Sequence, residues 1–379
     1  MLHISKLLIL FCCIGQLLFA QQTIPVIKAN SKIVSIRDGD SIAKGGWTIV
    51  PETKPDIYVT TNKNKKVTFY TDIDSISFVI DPTKKYDFII LLNNKDSAHT
   101  EIIYMPPYLE TLKMADKYNE NDKREIPKFT YQTSDNPHLT SLRKSLKLDS
   151  IAGTANEVSQ ILNLMHWIHN LIPHDGGHGN PDIKNAMDMI SVCKKENKTL
   201  NCRGLAIVLN ECYLALGFKS RFITCLPKDS LGIDPDCHVI NMVYSSTLKK
   251  WIWIDPTFDA YVMNEKGELL GIEEVRKKLI NGEPLILNPD ANWNHKISQT
   301  KEDYLYTYMA KNLYRLECPA SSEYNRETAE PGKTTEYIQL IPLNYFKQEP
   351  YKKESVDKKK ATTIIKYKTN NAALFWQTP

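Results

Sequence analysis

The sequence predicts an α+β fold preceded by a small all-β module, and three observations carry that expectation. A helical stretch begins at Cys202, with Leu205, Val208, Leu209, Cys212 and Leu216 at helical spacing before Gly217. Directly after it the apolar period changes to two, which gives strands at 219–226, 238–244 and 251–255, the last two as a hairpin. Between 32 and 103 there are only short alternating segments, such as Val67 with Phe69 and Ile76 with Phe78 and Ile80, broken by Asp, Asn, Pro and Gly. That pattern suits a sandwich or barrel.

The elements follow in chain order. Residues 1–20 hold Lys6, an apolar run over 7–19 and Ala20 before Gln21 and Gln22, as in a cleaved secretory signal. A lipid-modified Cys12 or Cys13 would need a small residue before it, and Phe11 and Cys12 stand there instead. The segment from Tyr86-Asp87-Phe88 to Asn93-Asn94-Lys95-Asp96-Ser97 resembles a module at the N-termini of exported bacterial enzymes, so 21–105 is read as an accessory domain. Ligand binding and structural docking are equally open as its role. Met105-Pro106-Pro107 reads as a linker.

Two helices are expected at 139–148 and 157–171, the second from Val158, Ile161, Leu162, Met165 and Ile168. Pro173 and the polar loop from His174 to Asn180 end it. Past the hairpin, 272–280 reads as a helix, 304–316 as an aromatic-rich strand or helix, 337–343 as a strand and 352–360 as a solvated loop. The domain at 106–320 is thus followed by an extension at 321–379 that packs on it.

At 379 residues the chain can bury two or three cores. It has 48 basic and 44 acidic residues, and losing Lys6 leaves a net charge of only +3, so no nucleic-acid footprint is expected. Past the leader no run approaches the ~18 apolar residues that span a bilayer. An exported, periplasmic, cell-surface or extracellular location follows. Six of the eight cysteines lie outside the leader: Cys193, Cys202, Cys212, Cys225, Cys237 and Cys318. If Cys202 stays a thiol the other five cannot all pair, and no disulfide is assigned.

The order Cys202, His238, Asp255 carries chemistry. A cysteine at a helix start meets unpaired N–H groups and a partial positive charge, which favour the thiolate and can also hold an oxyanion. If Tyr244 pairs with Lys249 across a four-residue loop, His238 falls opposite Asp255, and both lie on one face. A carboxylate on one imidazole nitrogen fixes the tautomer and supports the cation formed when the thiol gives up its proton. Taken singly, Cys202 reads as a buried structural cysteine, His238 as a half-buried histidine and Asp255 as a turn cap. Their order favours a nucleophile, a base and its orienter. Cys237 points away from His238 along a strand, and no spaced Cys or His pair accompanies it, so neither a metal nor a cofactor is expected.

These residues resemble the transglutaminase-like superfamily, whose core is related to papain-type cysteine proteases. The matching features are Cys202 opening a helix that ends in Leu216-Gly217-Phe218, a strand carrying Arg221, His238-Val239, and Trp253-Ile254-Asp255-Pro256-Thr257. Upstream, Trp167-Ile168 and Leu171-Ile172 also fit. The resemblance covers roughly 136–261. It departs where the family often has Gly two residues before the Cys and a small residue plus Trp after the His; here stand Leu200, Val239 and Ile240. It implies a papain-like core with the Cys helix on an antiparallel sheet and a Cys202, His238, Asp255 triad. The implied activity is acyl transfer through a thioester, with hydrolysis of a protein, peptide or peptidoglycan-type amide as the leading expectation. Glutamine crosslinking and a non-catalytic peptide- or glycan-binding scaffold are the alternatives. Asn201, Trp167, His174 and His178 are candidates for the substrate side, although Trp167 also reads as core and the histidine loop as a plain helix terminator.

Overall fold

A computed structural model describes residues 24–379 except 52–53, 82–83 and 105–106. The expected leader, with Lys6, Cys12, Cys13 and Ala20, lies outside the described residues, as do Met105 and Pro106 of the expected linker. The chain divides into two compact units, Met1–Pro106 and Pro107–Pro379.

The first unit has two four-stranded sheets. One runs in the order Val26–Ala29, Tyr86–Leu92, Asp96–Tyr104, Asp56–Thr60, and the other Ser41–Thr48, Ile33–Asp38, Lys66–Tyr70, Ser75–Val79. Alternation along the strands sends Val34, Ile36, Val67 and Phe69 from one sheet and Phe88, Ile90, Ala98 and Ile102 from the other into one shared core. Phe69 and Phe88 meet edge to face at 5.0 Å across it. Asn93 and Asn94, both at positive φ, make the turn between the two long strands, a conformation that asparagine tolerates.

The second unit is α+β. Its seven-stranded sheet runs Lys250–Ile254, His238–Ser245, Ser220–Leu226, Arg315–Pro319, Thr334–Leu340, Thr362–Thr369, Lys352–Asp357. The sheet is antiparallel except where Thr334–Leu340 and Thr362–Thr369 run parallel, so the expected antiparallel sheet is in fact mixed. Residues 352–360, expected to be a solvated loop, instead form an exposed edge strand and turn, where lysines blunt further pairing. The aromatic run at 304–316 resolves into a π-helix, Glu302–Met309, a short helical turn and the strand Arg315–Pro319.

Cys202–Ala215 is the central helix. It packs on the Ser220–Leu226 and His238–Ser245 strands, with helices Pro137–Leu146, Glu157–Leu171 and Ala186–Glu196 around it. Every residue from Gly204 to Ala215 is buried, not only the apolar stripe. The polar positions are covered and satisfied. Asn210 donates to Ser322 and accepts from Ser220, and Glu211 accepts from the backbone N–H groups of Ala186 and Asn325. Each buried Leu or Val on this helix contributes about 1.5–3 kcal/mol.

Candidate active site

The helix start is built by two asparagines. Asn201 caps it, its Oδ1 accepting from the Gly204 N–H at 3.2 Å. Asn180 locks onto Asn201, donating from Nδ2 to Oδ1 at 2.6 Å and accepting the Asn201 N–H at 3.1 Å. A Cβ on Gly204 would lie 2.5 Å from Asn180 Oδ1, so this close approach requires glycine. Cys202 then occupies the first helical position, where a backbone N–H has no intrahelical acceptor.

His238 and Asp255 are brought together, but not by the expected register. Tyr244 pairs with Trp251 and Met242 with Trp253, so the strand is displaced by two residues from the Tyr244–Lys249 pairing. A two-residue shift keeps every side chain on its face, and the imidazole reaches the carboxylate diagonally. The turn at 246–249 ends in Lys249 at positive φ and is clamped by Glu157, which accepts from Ser245, Ser246 and Thr247. His238 Nε2 donates to Asp255 Oδ2 at 2.7 Å, with side chains only 1% and 0% exposed. Asp255 Oδ2 also accepts from the Tyr304 hydroxyl at 2.6 Å, and Tyr304 accepts from Trp253 Nε1 at 3.2 Å. Its Oδ1 accepts the Thr257 N–H, so the residue caps a turn as well as holding the ring.

With Nε2 committed to Asp255, His238 has Nδ1 free to face the Cys202 thiol, whose pKa it lowers. His174 lowers the pKa of the same thiol. Trp293 Nε1 donates to His174 Nδ1 at 3.0 Å, which leaves the proton on Nε2, the nitrogen free to donate. The His174 backbone is held from two sides: Asn294 bonds both its N–H and its C=O at 2.8 Å, and it bridges Leu200, two residues before the cysteine.

The electrostatics single out one thiol. Burial raises the pKa of Cys202, but hydrogen bonds from His174 and His238 outweigh it and bring the thiol down to about 6. Burial depresses His238, and the Asp255 charge and hydrogen bond outweigh it, raising the ring to about 10. Between those values sulfur and ring form a thiolate–imidazolium pair. Burial pushes Cys193, Cys212 and Cys225 up, Cys237 up to about 11 and Cys318 up to about 12. All six are free thiols.

The other expected residues have structural partners of their own. Asn201 is occupied as the helix cap. Trp167 packs against the helical core. His178 is largely exposed and pairs with Asp175 at 2.9 Å, and its carbonyl accepts from Asn201 Nδ2 at 3.4 Å. Residues that the sequence did not single out complete the site: Tyr304 on Asp255, Trp293 and Asn294 on His174, and Phe258 and Tyr308 with ring centroids 5.5 and 5.3 Å from His238. Tyr304 and Tyr308 come from the π-helix, whose wider turn sets them on one side; such helices recur at functional sites.

No family model and no curated protein matches the chain. Similar solved structures include a Cytophaga hutchinsonii protein proposed to be a cysteine protease, 23% identical over 31% of this chain and 37% of that one, with a TM-score of 0.25. The chain thus spans little more than a third of that protein's length. Legionella pneumophila LapG is 13% identical over 48% of this chain and 98% of its own, with a TM-score of 0.25. Red sea bream transglutaminase is 10% identical over 62% and 49%, with a TM-score of 0.22. At these scores the likeness carries no chemistry of its own.

Proposed function

We propose that this chain is a cysteine-dependent acyl-transfer enzyme that hydrolyses amide bonds through a thioester on Cys202. One observation carries the reading: a helix-start thiol whose pKa two histidines bring down, one of them held by a buried carboxylate. His238 Nδ1 takes the thiol proton, and the thiolate attacks the amide carbonyl carbon. The oxyanion meets the Cys202 N–H and His174 Nε2–H. His238 returns its proton to the departing amine as the C–N bond breaks, leaving the acyl group on sulfur. Water, deprotonated by the now neutral His238, then attacks the thioester and releases the acid and the thiolate.

Asp255, braced by Tyr304, keeps the ring turned and supports its charge throughout. A library of glutamine- and lysine-containing peptides, read by mass spectrometry for cleavage, ammonia release and amine incorporation, tests the reading. Cleavage or deamidation lost in Cys202→Ala is the expected result. Amine incorporation would assign crosslinking, and no turnover together with ordinary alkylation of Cys202 would assign a scaffold.

A further inference from the structure

The Cys202 helix covers only part of its sheet. Beyond it, one face of four neighbouring strands is the floor of a groove of about 590 Å³, with Thr224, Glu317, Gln339 and Lys366 pointing the same way. Arg203 and Cys237, next in the chain to Cys202 and His238, line it. The groove therefore adjoins the nucleophile. Four strands span roughly 15 Å, the length of about four or five extended residues.

Two of the groove's charges are neutralised within the fold. Arg203 makes a two-pronged pair with Glu327, and Lys366 sits on Glu317 at 2.8 Å. Two are not. Arg315 is 6% exposed, and its Nε and Nη2 donate to the backbone carbonyls of Pro227 and Asp229, leaving Nη1. Neither Arg315 nor Lys347 pairs with a carboxylate among the described residues. The Arg315 guanidinium also lies over the Tyr345 ring, 5.2 Å from the centroid, and a buried guanidinium with carbonyl and ring partners but no carboxylate favours an anion. Above the floor Leu231, Ile233 and Phe346 are 44%, 76% and 64% exposed, which gives apolar lips to a charged trough.

We propose that this groove receives an anionic peptide, so that the amide presented to Cys202 belongs to a chain bearing a carboxylate. Arg315 and Lys347 take the carboxylate, and Leu231, Ile233 and Phe346 take neighbouring apolar side chains. A side-chain carboxylate and a free C-terminus offer the same chemistry. The inference rests on the acyl-transfer reading of Cys202.

The test uses the full chain and short peptides ending in a thiol-reactive vinyl sulfone, matched except for Glu or Gln at one position. A second matched set carries the electrophile inside the peptide and ends in a free or an amidated C-terminus. The rate of Cys202 modification is followed by intact-protein mass spectrometry, beside iodoacetamide as a small neutral reference. The carboxylate member of one set is expected to react about tenfold faster than its amide twin. The ratio should fall toward one at high salt, in Lys347→Gln and in Arg315→Gln. Lys347 is exposed, so its variant keeps the test valid if loss of Arg315 unfolds the protein. A preference in the first set assigns a side-chain carboxylate, and in the second a terminal one. Selective iodoacetamide labelling of Cys202 with equal rates in both sets overturns the groove alone. Failure of iodoacetamide to select Cys202 overturns the acyl-transfer reading and the groove with it.

Discussion

Two imidazole–carboxylate pairs hang from one loop and differ in almost everything but distance. His238 meets Asp255 at 2.7 Å and His166 meets Asp259 at 2.6 Å, and the loop that carries both acids is closed by reciprocal backbone bonds between Asp255 and Ala260. The first pair is sealed, with side chains 1% and 0% exposed, and its ring touches a sulfur. The second is 39% and 9% exposed, and its ring bonds no sulfur among the described residues. Desolvation depresses the buried ring and the Asp255 charge outweighs it, lifting it to about 10, whereas the hydrogen bond that His166 donates to Asp259 raises the open one through water-screened contact. A short His–Asp distance does not by itself make a base. Burial and a third group to exchange a proton with set His238 apart from His166 as the candidate base.

The largest expected effect separates the pairs by activity. His238→Ala should lower kcat/KM about 10³-fold, within the 10²–10⁴-fold worth of a positioned acid–base group. His166→Ala should stay within about twofold, since it touches no reacting atom. Comparable losses in the two variants, measured with any peptide the wild type cleaves, would put the reaction on the wrong pair.

The pH profile sharpens the same contrast. A pair built from a thiol at about 6 and a ring at about 10 predicts that kcat/KM rises as pH climbs through about 6, where sulfur loses its proton. It should hold across neutrality and fall toward about 10, where His238 loses the proton owed to the leaving amine. The titration of His166 should leave no limb. A rate still rising at pH 8 to 9 would mean that the thiol is not held down by its two histidines.

Smaller losses test the braces. Trp293→Phe keeps the ring volume near His174 but removes the N–H that fixes its tautomer, and about a tenfold fall in kcat is expected. The acid limb should also move up, because the histidine bond that lowers Cys202 weakens. Tyr304→Phe leaves Asp255 its bonds to His238 and Thr257, and a fall of only a few-fold is expected. Unchanged limbs in Trp293→Phe would reduce His174 to packing.

Much of this site was legible because its parts are local. The helix at Cys202, the strands ending near His238 and Asp255 and the shared face of those two residues all follow from period and parity, and a two-residue register error left the face intact. What was not legible arrives from far along the chain. Tyr304 lies 49 residues from Asp255, and Trp293 lies 119 from His174. No local pattern announces such bonds. Asn201 stands beside Cys202, yet capping the helix uses its side chain. The buried polar side of the central helix likewise depends on Ser322 and Asn325, over a hundred residues downstream.

The smallest expected effect concerns the open pair alone and reads stability. The hydrogen bond to Asp259 raises His166 above its ordinary value near 6.5, so the folded state binds that proton more tightly than the unfolded one. A raised histidine stabilises fully below the unfolded value and loses that contribution as pH rises through the folded one. His166→Gln should therefore shift the denaturation midpoint by the equivalent of about 0.5–1 kcal/mol at pH 5.5, the scale of a partly screened pair, and by less at pH 9. His238, sealed and coupled to a sulfur, should retain its proton across that range. A gap between wild type and His166→Gln that widened with pH would mean that the neutral ring is the form the fold prefers, and the two pairs would then differ in sign as well as in burial.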